Sequence, residues 1–279
     1  MPGEREELTT DDGVVLAATR YPAAGPSTAT IVLGGATAVP RGFYRRFAEH
    51  AARAGYDVLT LDYRGTGESR PASLRGYRMA FGDWAEHDIP AAIEAARADR
   101  PRYLVGHSYG GTALGLVPGT DRLAGAYTFG SGTGWSGWMT PGERARVRVA
   151  WAIGSVATAL LGYTPWSRLM GGEDLPAGAF RGWRRWTSFP DFAVGDPRVP
   201  DAAARYAAVR IPLTYATATD DPWATPASRD AMLATFAGAP RSAVDIEPSS
   251  IGAASIGHMG YFRAGAEPLW DAAITALAG

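Results

Sequence analysis

The stretch of residues 106–111, GHSYGG, has the residue types and spacing that can turn a serine hydroxyl into a nucleophile. It follows a short apolar run at 103–105 and precedes a helical pattern at 112–116. This order predicts a sharp turn from a strand into a helix, at which glycines let the two elements approach without Cβ clashes. Ser108 would then project its hydroxyl beside the amino end of the helix, where the dipole favours developing negative charge.

A serine hydroxyl is a poor nucleophile near neutral pH and needs a base within hydrogen-bond distance. The chain has four histidines. His107 adjoins the serine, where neighbouring side chains diverge, and His50 and His87 fall within predicted helices, where a surface or capping role is the default. His258 lies in a glycine-flanked loop between the last predicted strand and the last predicted helix. That loop should pass over the strand ends that carry Ser108, so we predict His258 as the general base.

An acidic residue should orient this imidazole and stabilise its protonated form. Asp220 and Asp221 directly follow a predicted strand at 211–217, and either carboxylate could serve. We favour Asp221 because an apolar side chain, Trp223, stands two residues further on. Asp220 remains the alternative, and the aspartate that is not used would cap a turn or a helix.

The developing oxyanion needs two main-chain N–H groups. One is expected from Tyr109, the residue after the nucleophile, and the other from the loop at 34–37, GGAT, which follows an earlier strand. Ala36 is the preferred second donor. The hydroxyl of Thr37 could assist, or it could cap the helix that follows.

Apolar runs of strand length alternate with helical patterns along most of the chain, after a predicted hairpin at 7–20. The predicted strands are 30–33, 56–63, 102–106, 123–129, 211–217 and 242–246. The first predicted helix begins at Phe43. The other predicted helices are 83–98, with a break near Pro90, then 226–236 and 268–277. This alternation predicts an α/β fold with a doubly wound, mostly parallel sheet.

The alternation stops between residues 130 and 209, where a helix is predicted at 141–161. About 80 residues are too many for an ordinary loop. We therefore predict an inserted, mainly helical cap at 131–209, which divides the core into 1–130 and 210–279. Trp135 and Trp138, with Thr37 and Met259, are expected to line a pocket for an apolar or aromatic group, although packing onto the core is the commoner role of a tryptophan.

The composition narrows the possible partners. With a formal net charge of -1, there is no electrostatic reason to expect nucleic acid or an anionic membrane. The absence of cysteine excludes disulfides and thiolate ligands, and the histidines lack metal-ligand spacing, so we expect no metal and no cofactor. The longest apolar run, 149–162, is shorter than the ~20 residues of a membrane span. We expect a cytoplasmic protein with a small-molecule substrate; the oligomeric state stays open.

These motifs together resemble the α/β-hydrolase superfamily over essentially the whole chain. Residues 62–69, DYRGTGES, look like its D-x-R-G-x-G-x-S turn, and GGATAVPRGFYRRFA, DDPWATPAS and IGHMGYFR are similar to a sparsely characterised branch of predicted serine hydrolases. The resemblance implies a triad of Ser108, one of the paired aspartates and His258, and a structural role for the 62–69 turn. Where many relatives have His-Gly, this chain has Gly34-Gly35, which leaves the oxyanion geometry open.

Three functions are consistent with these residues. The first is hydrolysis of an ester or thioester of an apolar or aromatic acyl or alcohol group through an acyl-enzyme on Ser108. The second uses the same triad for acyl transfer, cyclisation or elimination, which a cap that excludes water would favour. The third is a ligand-binding protein without turnover, against which a complete triad argues. Dehalogenase and epoxide hydrolase chemistry is disfavoured because the turn carries serine and not aspartate.

Overall fold

The computed structural model describes residues 3–278, which form ten strands and nine α-helices. The strands are β1 (Glu4–Thr9), β2 (Val15–Tyr21), β3 (Ala29–Gly34), β4 (Tyr56–Leu61), β5 (Arg102–His107), β6 (Gly125–Phe129), β7 (Tyr163–Thr164), β8 (Leu175–Pro176), β9 (Leu213–Ala218) and β10 (Arg241–Ile246). The helices are α1 (Arg45–Arg53), α2 (Ile89–Ala95), α3 (Tyr109–Thr112), α4 (Pro141–Leu161), α5 (Trp166–Leu169), α6 (Ala177–Trp186), α7 (Ala202–Ala208), α8 (Pro226–Thr235) and α9 (Glu267–Ala278).

Eight of the strands form one sheet in the order β1-β2-β4-β3-β5-β6-β9-β10. The pairs β1/β2 and β2/β4 are antiparallel, and every other neighbouring pair is parallel. All residues of β3 and β4 are buried, as expected for parallel strands that helices cover on both faces. The predicted fold class, a doubly wound, mostly parallel α/β-hydrolase sheet, is therefore confirmed.

Helices pack on the two faces of the sheet around separate apolar clusters. On one face, α1 and α9 bury Phe47 and Trp270 against the strands. On the other face, α2 and α8 bury Ile89 and Met232. The carboxyl ends of the central parallel strands therefore lie between two helical layers, and the loops that follow β3, β5 and β9 share one edge of the sheet.

Two predicted helices differ from the structure near their starts. The break expected at Pro90 lies before it: residues Trp84–Asp88 form a π-helical turn, and Pro90 stands in the first turn of α2, where its missing N–H costs nothing. After Ser108, the predicted helix at 112–116 is instead the four-residue α3 followed by a 3-10 turn, Leu114–Leu116.

The inserted region contains α4, whose bounds match the predicted helix. A small antiparallel ladder of β7 and β8 also lies there, which the sequence did not indicate because each strand has two residues. In contrast, α7 packs against the core, where the hydroxyl of Tyr206 donates to the carbonyl oxygen of Thr112 (2.8 Å). We therefore interpret α4, α5 and α6 as the cap. No helix within 3–278 is long and apolar enough to cross a bilayer.

The 62–69 turn connects several loops beneath this edge of the sheet. The carboxylate of Asp62 accepts hydrogen bonds from the main-chain N–H groups of Arg41 (2.6 Å) and Glu68 (2.9 Å). The guanidinium of Arg64 donates to Asp88 (2.7 Å) and to Asp12 (2.6 Å). These bonds join the turn to the first hairpin, to the loop after β3 and to the helix that follows.

Glycine at position 110 permits the contact between α3 and the loop after β3. The Gly110 N–H donates to the carbonyl oxygen of Gly35 (3.1 Å), and a Cβ atom at Gly110 would lie 2.0 Å from the carbonyl oxygen of Gly34. The atoms that this Cβ would meet belong to the main chain of Gly34, which cannot move away as a flexible side chain would.

We expect Gly110→Ala to lower the free energy of unfolding by about 3 kcal/mol, the upper end of overpacking costs. Urea denaturation would measure the loss. Gly142→Ala is the matched control, because a Cβ at this helical position meets nothing within 4 Å; its free energy of unfolding should change by less than about 0.5 kcal/mol. Equal stabilities of the two variants would contradict the close packing.

Candidate active site

Ser108 stands at a strained turn between β5 and α3. Its φ of 50° is a left-handed value that residues other than glycine rarely adopt. The turn is held by its own main chain: Ser108 N–H donates to the Phe129 carbonyl oxygen (3.0 Å), and the Ser108 carbonyl oxygen accepts from the N–H (2.9 Å) and hydroxyl (2.9 Å) of Thr112 and from the Ser131 hydroxyl (2.9 Å). These bonds fix the direction of the Ser108 side chain.

A continuous hydrogen-bonded chain joins Ser108, His258 and Asp221. The Ser108 Oγ lies 3.0 Å from His258 Nε2, and His258 Nδ1 lies 2.9 Å from Asp221 Oδ2. The three side chains come from the loops after β5, β10 and β9, which meet because those strands are parallel. In this geometry the imidazole can accept the serine proton while its other nitrogen donates to the carboxylate.

The carboxylate of Asp221 is buried but fully hydrogen-bonded. Its Oδ1 accepts from the N–H groups of Trp223 (2.8 Å) and Ala224 (2.9 Å), and its Oδ2 accepts from the Tyr261 hydroxyl (2.8 Å) as well as from His258. Burial raises the pKa of Asp221, but the charge of His258 and these hydrogen bonds outweigh burial and hold the pKa below its ordinary value. Asp221 is therefore ionised at neutral pH.

Asp220, the alternative acid, makes no hydrogen bond to the imidazole of His258. Its carboxylate accepts instead from the Ser255 hydroxyl (2.6 Å) and from the N–H groups of Ile256 (2.9 Å) and Gly257 (3.0 Å). These residues directly precede His258, so Asp220 anchors the loop that carries the base.

The preferred second oxyanion donor, Ala36, needs a correction. Its N–H donates to the hydroxyl of Tyr44 (2.7 Å), both groups are buried, and this amide is not free to meet an oxyanion. Within residues 3–278, neither the Tyr109 N–H nor the Thr37 N–H has an acceptor. Both residues line a cavity beside Ser108. Nothing in the sequence signalled the Tyr44 contact, which spans eight positions without a regular pattern.

The Tyr44 hydroxyl also begins a buried connection between the loop after β3 and the loop of His258. The carbonyl oxygen of His258 accepts from His107 Nε2 (2.9 Å), so the ring proton of His107 is on Nε2. His107 Nδ1 is therefore an acceptor, and the Tyr44 hydroxyl donates to it (3.0 Å). Burial, followed by the nearby charge of His258, lowers the pKa of His107 to about 3, so this ring is neutral. His107 thus positions main chain at the base and is not itself a base.

We expect His107 to make stability fall in mild acid. Its pKa of about 3 in the folded chain lies below the ordinary 6.5, so the unfolded chain binds the additional proton between these values. This contribution is complete above pH 6.5 and is lost as the pH falls towards 3. The difference in free energy of unfolding between wild type and His107→Gln should therefore shrink by about 2 kcal/mol between pH 7 and pH 5.

Urea titrations of both proteins at each pH would test this, because the contributions of other groups cancel in the difference. His87→Gln provides the contrast: burial, which alone would lower the pKa of His87, is outweighed by its hydrogen bond to Asp11, and the pKa is raised. The difference in free energy of unfolding between wild type and His87→Gln should not shrink between pH 7 and pH 5. A pH-independent difference for His107→Gln would contradict a neutral, buried ring.

Two cavities meet at Ser108. The smaller cavity has a volume of about 30 Å³, and we call it the inner cavity. The larger has a volume of about 430 Å³, and we call it the outer cavity. Thr37 lines both cavities and Met259 lines the outer one, and their contact with a substrate stays a prediction. Trp135 and Trp138 line neither: their rings pack edge to face on each other at 5.4 Å. This corrects their predicted place in the pocket.

Two other tryptophans, Trp183 and Trp223, line both cavities and were not predicted to do so. Trp223 could have been found from its position two residues after Asp221. Its main-chain N–H donates a hydrogen bond to Asp221 Oδ1. Tyr261, three residues after His258, was missed in the same way although its hydroxyl contacts the carboxylate of Asp221.

One group of possible metal ligands, Asp11, Asp12 and His87, lies within the described residues. Asp12 is already satisfied there, because the Arg64 guanidinium donates to both of its oxygens (2.6 and 2.8 Å) and holds the pKa of that carboxyl well below its usual range. We assign no metal or cofactor to these residues.

Known proteins resemble the chain in both sequence pattern and structure. A model of the alpha/beta hydrolase family matches residues 31–267. No curated protein matches the chain by sequence. A thermophilic esterase from Thermogutta terrifontis is 18% identical, with 99% of this chain and 98% of that chain covered and a TM-score of 0.62. An esterase from Rhodococcus is also 18% identical (99% and 98% covered, TM-score 0.58), and the thioesterase domain of the curacin biosynthetic pathway is 14% identical (98% and 100% covered, TM-score 0.60). These solved structures share the fold.

Proposed function

Since the chain belongs to the alpha/beta hydrolase family, we propose that it is a serine hydrolase that cleaves an ester or thioester through an acyl-enzyme on Ser108. The observation that carries this proposal is the hydrogen-bonded chain from Ser108 Oγ through His258 to the buried carboxylate of Asp221. A protein that only bound a ligand would have no need of a serine with a base and an ionised acid aligned behind it.

The proposed first half-reaction transfers the acyl group to the enzyme. As Ser108 Oγ attacks the carbonyl carbon, His258 Nε2 takes the serine proton and Asp221 stabilises the imidazolium. The carbonyl oxygen becomes an oxyanion, which the N–H groups of Tyr109 and Thr37 would bind. The intermediate collapses when the bond to the leaving oxygen or sulfur breaks and His258 gives that atom its proton.

The second half-reaction returns Ser108 to its starting form. His258 removes a proton from water, the resulting hydroxide attacks the acyl carbon, and the Ser108 Oγ leaves with the proton from the imidazole. The products are a carboxylic acid and an alcohol or thiol. If an added alcohol attacks in place of water, the same residues carry out acyl transfer.

A fluorophosphonate probe tests the proposed nucleophile directly. Phosphonylation should displace fluoride and add one phosphonyl group to the peptide that contains Ser108, as peptide mass spectrometry would detect. Heat-denatured protein is the control, because labelling requires the aligned base. Absence of labelling in folded wild-type protein would contradict the proposal.

Product analysis then separates hydrolysis from transfer. A tryptophan-lined cap over Ser108 would favour transfer if it reduced the access of water. An activated ester incubated with and without an added alcohol should yield free acid in both cases if the protein is a hydrolase. A new ester as the main product would favour the acyltransferase alternative.

A further inference from the structure

The two cavities beside Ser108 differ in volume by more than tenfold. At about 30 Å³, the inner cavity has room for about one or two water molecules, which is close to the size of a two-carbon acyl substituent. The outer cavity, at about 430 Å³, is within the range of sites that bind drug-sized ligands. A substrate held across Ser108 therefore has to be strongly asymmetric.

A pair of stacked tryptophans lies where the two cavities meet, and we call this pair the partition. The Trp183 and Trp223 rings are 5.6 Å apart with an interplanar angle of 27°, and both side chains line both cavities. Trp183 comes from α6 in the cap and packs edge to face on Trp151 (4.9 Å) and Trp166 (5.0 Å). Trp223 comes from the core, where its N–H donates to Asp221. Contacts of α6 thus fix one ring of the partition, and the loop that carries Asp221 fixes the other.

The catalytic geometry decides which part of the substrate enters each cavity. His258 has to protonate the leaving atom, so the leaving group lies on the side of the loop that carries the base. Met259, the next residue, lines only the outer cavity. Tyr109 and Thr112 of α3 line only the inner cavity, and Tyr109 carries a proposed oxyanion donor. The acyl substituent therefore extends into the inner cavity.

We propose that the substrate is an ester or thioester of a short acyl group, about two or three carbons long, with a much larger apolar alcohol or thiol, and that the Trp183–Trp223 pair sets the acyl limit. This inference rests on the proposed hydrolase function. It divides the roles that the sequence left open between the acyl and the alcohol group, because here the tryptophans close the acyl side.

Two ester series measured on the wild-type protein test the inference. With p-nitrophenyl acetate, butyrate, hexanoate and octanoate, kcat/KM should fall about 100-fold from acetate to hexanoate, as expected when a pocket lacks room for added methylenes. With phenyl and 2-naphthyl acetate, whose leaving groups have similar acidity, kcat/KM should not fall as the alcohol grows. Octanoate turned over as efficiently as acetate would overturn this inference and leave the hydrolase proposal intact.

A variant tests the role of the partition. Trp183→Ala should raise kcat/KM for hexanoate relative to acetate at least tenfold, and Trp183→Leu provides a smaller truncation if the alanine variant does not fold. Trp138→Ala is the matched control, because Trp138 is partly exposed and lines neither cavity; its acyl preference should equal that of wild type. An unchanged preference in both folded Trp183 variants would overturn the assignment of the partition. No turnover of any ester, with no phosphonate labelling, would overturn the hydrolase proposal and this inference together.

Discussion

Replacement of Ser108 by alanine is expected to lower kcat for any ester substrate by about 10⁴-fold or more, because acyl transfer to the enzyme is then impossible. His258 and the oxyanion donors remain, so a small residual rate through direct attack of water is expected. Steady-state kinetics with p-nitrophenyl acetate, at protein concentrations high enough to detect the residual rate, would measure the loss.

The backbone strain at this position does not complicate the result. Alanine keeps the Cβ atom, so the cost of a φ of 50° is the same in both proteins. The variant loses the hydrogen bond from Ser108 Oγ to His258 Nε2, worth about 1 kcal/mol. Its free energy of unfolding should therefore stay close to that of wild type. Full activity in Ser108→Ala would exclude the serine mechanism, and unfolding of the variant would make Ser108→Gly the next test, because glycine adopts this φ without strain and also lacks the hydroxyl.

The sheet and the meeting of the three loops could be predicted because both depend on local patterns. Short apolar runs separated by helical patterns led to the parallel sheet, and parallel strands place the residues that follow them at one edge. Ser108, His258 and the Asp220–Asp221 pair each directly follow such a strand or lie in the loop after it. Their chemical roles stay a prediction, but the geometry that those roles need is present.

Contacts that follow no regular spacing along the chain could not be predicted in this way. The Tyr44 hydroxyl accepts from the Ala36 N–H because the 3-10 turn Arg41–Tyr44 brings this side chain back to the loop, and no spacing of residue types reports such an approach. Likewise, Trp183 and Trp223 stack only because α6 approaches the loop that carries Asp221. Trp223 has a sequence signal in its position two residues after Asp221, but only the position in three dimensions separates Trp183 from Trp135 and Trp138.

The choice between the two neighbouring aspartates is a case where hydrogen-bond partners decide what sequence left open. Asp221 and Asp220 have the same side chain and differ by one position, but one carboxylate contacts the imidazole of His258 and the other contacts the main chain before it. Asparagine substitution separates these roles, because it keeps the shape of the side chain and removes its charge.

Asp221→Asn is expected to lower kcat by about 10³- to 10⁴-fold without unfolding the protein. The amide oxygen can accept from the Trp223 and Ala224 N–H groups, which leaves the amide nitrogen, a donor, facing His258 Nδ1. The imidazole must then carry its proton on Nε2, where it cannot accept the proton of Ser108. The Tyr261 hydroxyl, which already accepts from the Ala218 N–H, can also accept from the new amide, but its own proton then loses its acceptor, so we expect a loss of about 1 to 3 kcal/mol in the free energy of unfolding as well.

Asp220→Asn is the matched control, and we expect it to lower kcat less than about tenfold. Its amide oxygen can still accept from an N–H group of the loop, and His258 keeps both its tautomer and its ionised partner. Activity of the two variants at the pH optimum of wild type, with urea denaturation to confirm folding, distinguishes an acid that acts on the imidazole from one that only holds its loop. If Asp220→Asn loses as much activity as Asp221→Asn, the assignment of Asp221 as the sole triad acid is wrong. In that case the position of the His258 main chain, which Asp220 controls, limits the reaction as strongly as the choice of tautomer does.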